Sequence, residues 1–209
     1  MMEVIVTHFK PFFLGMLICI AGYVLFYIII AFSQIYAKSA PSQSEAGYAM
    51  GLGFSPQIFT ALLMYSAVSL AISITISGKC IDKIGRRIWL IWTTVAVAIF
   101  GLALPYFLEN GTTVSLFWFL IIGMGLIGMG YGPLSSFLPE LFPTHVRYSG
   151  ASLTYNIAGL FGASVAAIIA LPLNANYGLK GVGIYLTLNA VLSLIGLWFI
   201  EETRDRQLL

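Results

Sequence analysis

The stretch GKCIDKIGRR, at positions 78–87, places a dense group of charges between two long apolar segments. Only 9% of the residues in the chain are charged, yet half of these ten positions are Lys, Arg or Asp. The neighbouring segments, 56–77 and 88–108, contain no charged residue. A short charged connection between uncharged segments of this length is typical of a loop that joins two membrane-spanning helices.

Further segments of the same kind lie along the chain. A bilayer core about 30 Å thick requires roughly 20 apolar residues per helix, because each residue rises about 1.5 Å. Six segments reach this length without Asp, Glu, Lys, Arg or His: 12–37, 56–77, 88–108, 113–137, 150–172 and 181–200. We therefore predict an all-α polytopic membrane protein, with six transmembrane helices in a single domain over residues 1–209.

The composition favours this fold over a soluble one. Hydrophobic residues make up 59% of the chain, above the roughly 45–50% of soluble domains. Buried helices of a large soluble core would need amphipathic partner helices, and the sequence contains none. The first segment is too long for a signal peptide and lacks a small-residue cleavage site after it, so we expect it to remain as a span.

Basic residues are divided unequally between the two sides of the predicted membrane. If Lys10 shares a side with 78–87, only Lys38 and Lys180 fall on the opposite side. The basic residues on the first side are Lys10, Lys79, Lys83, Arg86, Arg87, Arg147, Arg204 and Arg206. The positive-inside rule predicts that this side and both termini are cytoplasmic. Because topology accounts for these residues, we expect a lipid bilayer around the protein and no nucleic acid partner.

The loop at 78–87 holds more than a topology signal. Gly78 and Gly85 allow a tight turn and a close approach of two helix ends. Asp82 can accept hydrogen bonds from a helix N-terminus, and Arg86 can form a planar bidentate pair with a carboxylate. Together these residues predict a latch between helix ends.

The same loop resembles a known family signature. Gly78, Asp82, Gly85, Arg86 and Arg87 match the pattern G-x-x-x-D-x-x-G-R-R/K of the major facilitator superfamily of secondary transporters. As in that superfamily, the pattern lies in a short loop between two predicted spanning helices. The resemblance implies that these five residues belong to a cytoplasmic gate.

A second stretch, PELFPTHVRYSGASLTYNIAGLFGAS at 139–164, resembles the connection between the tenth and eleventh helices of that superfamily. It is most similar to the metabolite/proton symporter branch, which includes shikimate, 2-oxoglutarate and proline/betaine carriers. The matching residues are Pro139, Glu140, Phe142, Pro143, Thr144, Arg147, Tyr148, Ser149, Gly150, Tyr155 and Asn156. The resemblance implies a charge network of Glu140, Arg147 and Arg86. Alternatively, Glu140 and Arg147 are independent surface charges that contribute little.

The resemblance covers nearly the whole chain but only half of the family's fold. Family members carry twelve helices in two six-helix halves, and this sequence resembles the second, C-terminal half. The chain begins with its own Met1 and has no segment before Lys10 that could form the first half. We therefore expect a complementary N-terminal half, as in a split transporter, or a second copy as the partner. The alternative is a truncated remnant without activity.

The resemblance also implies that the first and fourth helices line a central cavity. On the first helix, Tyr23, Tyr27 and Gln34 recur at spacings of four and seven and share a face, which suits a small polar solute. They could equally lie at helix contacts or near the membrane surface. On the fourth helix, Trp118 and Tyr131 are candidates whose rotation the sequence does not fix.

Small and polar residues predict helix contacts as well as ligands. Asn156, on the fifth helix, is either a solute ligand or an interhelical hydrogen-bonding group. The fourth helix contains glycines at 123, 125, 128, 130 and 132. Gly128 and Gly132 form a small-xxx-small pair, which predicts close packing, whereas the run together with Pro133 could bend the helix during gating.

The six segments contain none of the ionisable side chains that usually mark a proton pathway. If transport is proton-coupled, as the branch implies, the titrating group lies in the other half. The same absence argues against an enzyme, and Cys19 and Cys80 form no metal-ligand cluster, so we expect no catalytic residue, metal or cofactor. We expect transport of a small organic acid or osmolyte across the cell inner membrane. A non-transporting scaffold or assembly subunit is the alternative.

Overall fold

The computed structural model describes residues 6–200, which are almost entirely helical. It contains α1 (Phe9–Lys38), α2 (Pro56–Ile84), α3 (Arg86–Glu109), α4 (Thr113–Glu140) and a helical stretch Arg147–Phe199. All five stretches are long and apolar enough to cross a membrane. Arg204 and Arg206, which the orientation prediction counts, lie outside the described residues.

The last stretch is two helices that meet at Gly178. The backbone angles of Gly178, φ 66° and ψ −170°, are not helical. Gly178 therefore separates α5 (147–177) from α6 (179–199). The prediction of an all-α protein with six spanning helices is therefore confirmed. The turn between α5 and α6 is much shorter than the sequence suggests, because Asn174 and Tyr177 continue the helix.

The turn between α2 and α3 lies at Gly85 alone. Gly85 has φ 99° and ψ 146°, a conformation that side chains with a Cβ atom avoid. Gly78 instead lies inside α2, where a Cβ atom would meet nothing within 4 Å. The expectation that Gly78 forms part of the turn is wrong, because α2 continues through the charged residues to Ile84.

Glycines allow close contact between α2 and α4. A Cβ atom at Gly128 would lie 2.6 Å from the carbonyl oxygen of Leu70, and one at Gly132 would lie 2.3 Å from the Ser77 hydroxyl. At Gly128 the contact is with backbone, so any other residue would require movement of the helices, whereas at Gly132 the Ser77 side chain would have to move. The prediction that Gly128 and Gly132 serve close packing is confirmed.

The helix α1 contacts α4, α5 and α6. The Ser193 hydroxyl of α6 donates to the Leu17 carbonyl (2.6 Å) and accepts from the Ala21 N–H (3.1 Å). These are the two groups that pair in an ordinary α-helical turn, so Ser193 ties α6 directly to the backbone of α1. Further along, Ile28–Phe32 forms a π-helical turn, which inserts one residue into the helical register.

The loop between α1 and α2 folds back over the helix ends. The Leu52 and Phe54 N–H groups donate to the carbonyls of Tyr36 and Ala37. From α5, the Asn174 side-chain amide donates to the Ala49 carbonyl at 3.1 Å. The loop is thus attached both to the end of α1 and to the last part of α5.

Candidate functional site

An ion pair joins the start of α3 to the end of α4. The Arg86 guanidinium contacts the Glu140 carboxylate, and their side chains are 22% and 15% exposed. Gly85 places Arg86 at this position, because its positive φ ends α2 and begins α3 at once. The structure therefore brings together two of the three residues of the predicted charge network.

Arg147 does not join this pair. It is the first residue of α5, and no carboxylate among residues 6–200 forms an ion pair with it. Its Nε atom is buried without a hydrogen-bond partner. The structure thus leaves one cation of the predicted network uncompensated.

The remaining residues of the predicted gate are two exposed positions on α2 and an arginine that contacts α6. Asp82 is exposed in the last turn of α2, and within the described part of the chain it forms no hydrogen bond or ion pair. Gly78 is also exposed. Arg87 donates to two carbonyls of α6, those of Leu197 (2.8 Å) and Trp198 (3.0 Å).

A crevice of about 260 Å³, here called the tyrosine crevice, opens between α1, α3, α4 and α5. Two of its tyrosines, Tyr23 of α1 and Tyr155 of α5, have ring centroids 5.0 Å apart, and Tyr155 also interacts with Tyr131 of α4. The other polar side chains in the lining are Cys19, Thr93 and Thr94. The crevice therefore offers hydroxyls and aromatic faces in an otherwise apolar wall.

A second cavity of about 570 Å³, here called the α4–α5 cavity, adjoins the crevice. The two share Tyr131, Leu134 and Tyr155 in their walls. Arg147 lines the α4–α5 cavity, and no Asp or Glu of the described residues does. Its charge character is therefore positive.

Of the six predicted solute ligands, Tyr23 and Tyr131 line these cavities. The other four are outside both linings: Tyr27, Gln34, Trp118 and Asn156. The Tyr27 hydroxyl donates to the Ala167 carbonyl at 3.5 Å, and the Asn156 amide donates to the Ser152 carbonyl in its own helix at 2.8 Å.

Helix geometry explains two of these placements. The π-helical turn Ile28–Phe32 lies between Tyr27 and Gln34, so their spacing of seven no longer places them on one face. On α4, the thirteen positions between Trp118 and Tyr131 correspond to a rotation of about 140° around the helix.

Tyr155 is the residue that the sequence interpretation overlooked as a ligand. It lines both cavities and connects the tyrosines of α1 and α4. A signal exists in the sequence, since Arg147, Ala151 and Tyr155 follow one another at spacings of four and therefore share a helix face. All three line the α4–α5 cavity.

The family of the chain follows from its similarity to known proteins. A family model described as sugar (and other) transporter matches residues 42–209. The chain belongs to this transporter family. The resemblance to the major facilitator superfamily is thereby confirmed. The spanning helices of the chain and its bacterial relatives identify a multi-pass inner membrane protein.

Three relatives show how far the similarity extends. A Haemophilus influenzae protein named as a metabolite transport protein is 88% identical over 100% of this chain and 46% of its own length. The Escherichia coli inner membrane metabolite transport protein YhjE is 38% identical, over 96% of this chain and 44% of its own. The E. coli proline/betaine transporter is 30% identical, over 77% and 34%. The chain spans about half the length, or less, of these relatives. No solved structure matches it.

Proposed function

We propose that the chain is the C-terminal six-helix half of a secondary transporter that moves a small organic acid or osmolyte across the inner membrane, coupled to protons. The observation that carries the proposal is the tyrosine crevice, a mostly apolar space between helices that carries tyrosine hydroxyls, in a chain of a transporter family. Relatives that carry the names of proline, betaine and metabolite transporters support this solute class.

Within this proposal, Tyr23, Tyr131 and Tyr155 contact the solute. Their hydroxyls can donate and accept hydrogen bonds, and their rings can pack against an apolar body or a cationic ammonium group. The other four predicted ligands lie outside the two cavities, so a role in solute binding stays a prediction for each of them: Tyr27, Gln34, Trp118 and Asn156.

The gate in this proposal is the Arg86–Glu140 pair. It connects the end of α4, which borders both cavities, to the loop at Gly85. Movement of α4 would strain or break the pair, so the pair favours one conformation of the half. Asp82 and Gly78 lie exposed at the end of α2, where a partner half could contact them.

The partner in this proposal is a complementary N-terminal half, or else a second copy. The helix α2 supports this, since it is the least buried of the spanning helices. Both termini are cytoplasmic, as the distribution of basic residues favours. The proton-binding group belongs to the partner half, because none of the six apolar segments of this chain contains a carboxylate. An enzymatic role is not part of the proposal.

Uptake by a reassembled transporter tests the proposal. This chain would be co-expressed with the part of the 88%-identical Haemophilus influenzae relative that it does not cover. Cells would then be assayed for uptake of labelled proline, betaine, 2-oxoglutarate and shikimate, with and without a proton gradient. We expect gradient-dependent uptake of at least one solute above cells that express either part alone. A stable complex without uptake would refute transport and favour a scaffold.

A further inference from the structure

The α4–α5 cavity contains a cation for which the described chain provides no counter-ion. Arg147 lines the cavity, and its Nε is buried without a hydrogen-bond partner. Glu140, the nearest carboxylate in the sequence, pairs with Arg86 instead. A buried donor that is left unsatisfied costs about 1–3 kcal/mol, and more when it is charged. A ligand that accepts from Arg147 would remove this cost.

The local backbone adds to the positive charge at this point. Arg147 is the first residue of α5, and its N-cap residue Val146 provides no side-chain cap. The first N–H groups of a helix lack intrahelical partners and carry a partial positive charge. Guanidinium and helix terminus therefore favour the same kind of ligand, an anion.

The rest of the lining limits the size and shape of that anion. The cavity of about 570 Å³ is within the range of small-molecule sites. Its wall combines apolar side chains, Leu134 and Leu138, with the hydroxyls of Ser135 and Ser152. A free inorganic anion would leave the apolar part of this wall uncovered, whereas an organic acid would cover it.

We propose that Arg147 binds the carboxylate of a small organic acid in the α4–α5 cavity. The planar guanidinium can hold both carboxylate oxygens, which a lysine ammonium cannot do. The apolar part of the acid packs against Leu134 and Leu138, and its far end reaches Tyr131 and Tyr155, which border the tyrosine crevice. The identity of this acid with the transported solute rests on the proposed function, but binding itself does not require transport.

Direct binding to the purified full chain in phosphatidylcholine nanodiscs tests the site. The probes are 2-oxoglutarate, shikimate and proline, with prolinamide and the dimethyl ester of 2-oxoglutarate as analogues that lack a carboxylate and inorganic phosphate as a non-carboxylate anion. We expect at least one acid to bind. Its analogue without a carboxylate should bind at least about tenfold more weakly, and Arg147→Gln should lower the affinity for the acid by a similar factor. Arg147→Lys should bind with intermediate affinity, and Lys79→Gln, an exposed cation outside the cavity, should leave affinity unchanged.

Several outcomes would overturn this assignment. They are an absence of binding by every acid, equal affinity in wild type and Arg147→Gln, and binding of phosphate alone. If Arg147→Gln fails to fold, the intermediate affinity of Arg147→Lys still separates a carboxylate site from a structural role. Binding without uptake in the reassembled transporter would refute the proposed transport and leave the site standing. If the reassembled transporter takes up a solute, and its affinity for that solute is unchanged in Arg147→Lys and Arg147→Gln, the site is refuted and transport stands.

Discussion

Arg87, at the start of α3, holds the end of α6 through a hydrogen bond of 2.8 Å from its Nε to the Leu197 carbonyl. A second bond reaches the Trp198 carbonyl at 3.0 Å. The last carbonyls of a helix have no intrahelical partners, so Arg87 satisfies groups that would otherwise need water. Its neighbour Arg86 points to Glu140 of α4. Two adjacent arginines thus attach the same loop to two different helices.

Replacement of Arg87 by Ala should loosen the end of α6. The loss of two hydrogen bonds from a charged donor to backbone carbonyls would cost about 1–3 kcal/mol. Hydrogen exchange of residues 195–200 should become faster, while exchange in the middle of α4 stays the same. Lys79→Ala is the matched control, because Lys79 is exposed. Equal exchange in both variants would contradict a capping role for Arg87.

Disruption of the Arg86–Glu140 pair should slow transport more than it impairs folding. Both side chains are partly exposed, so the pair itself contributes only about 1 kcal/mol to stability. We expect Arg86→Ala and Glu140→Gln each to lower the uptake rate of the reassembled transporter with normal membrane insertion. The double variant should be no worse than either single one. Additive losses would show that the two residues act independently.

Asp82→Asn should lower the uptake rate of the reassembled transporter without any effect on the stability of this chain alone. Asp82 is exposed and has no partner among residues 6–200, so we expect its charge to act in contacts with another half. Thermal unfolding of the isolated chain and uptake by the reassembled pair measure the two effects separately. Unchanged uptake would leave this carboxylate without a part in the gate.

Alanine substitutions at Gly78, inside α2, and at Gly85, in the turn that follows, should differ in their effect on stability. Gly85→Ala forces a Cβ atom into a backbone region that is almost restricted to glycine, at a cost of about 1–3 kcal/mol. Gly78→Ala adds a methyl group where nothing lies within 4 Å, and it replaces a helical glycine. It should therefore be neutral or stabilising. Thermal unfolding in detergent compares the stability of the two variants. A similar loss of stability in both would contradict a special backbone requirement at Gly85.

The contact between α2 and α4 allows another matched pair of substitutions. In Gly128→Ala the new Cβ atom would lie 2.6 Å from the Leu70 carbonyl oxygen, so the helices must separate, at a cost of about 1–3 kcal/mol. At Gly130 the nearest atom is 3.9 Å away, and alanine should be tolerated. The free energy of unfolding of both variants, measured in the same detergent, distinguishes close packing from a general need for helix flexibility.

The sequence predicts the spans and their order because charge exclusion from the bilayer is a local property. It also predicts the close contact at Gly128 and Gly132. It does not predict that Gly78 is helical, since the helix α2 extends beyond its apolar segment. The resemblance predicts a network of Arg86, Glu140 and Arg147, but not that Arg147 lacks a carboxylate partner among residues 6–200, because that depends on the packing of α3, α4 and α5. Tyr155 was missed for the same reason.

The π-helical turn Ile28–Phe32 changes the helical register of α1, so the residues after it are rotated relative to their positions in an uninterrupted α-helix. Ser33, Tyr36 and Ala37, beyond the turn, are all buried, as are Val24 and Leu25 before it. Replacement of this turn by an ordinary α-helical turn with the same number of residues would rotate everything beyond it by about 100° and turn those three side chains out of the interior. The segment can therefore lose its extra residue together with the π-helical turn, but it cannot lose the π-helical turn alone.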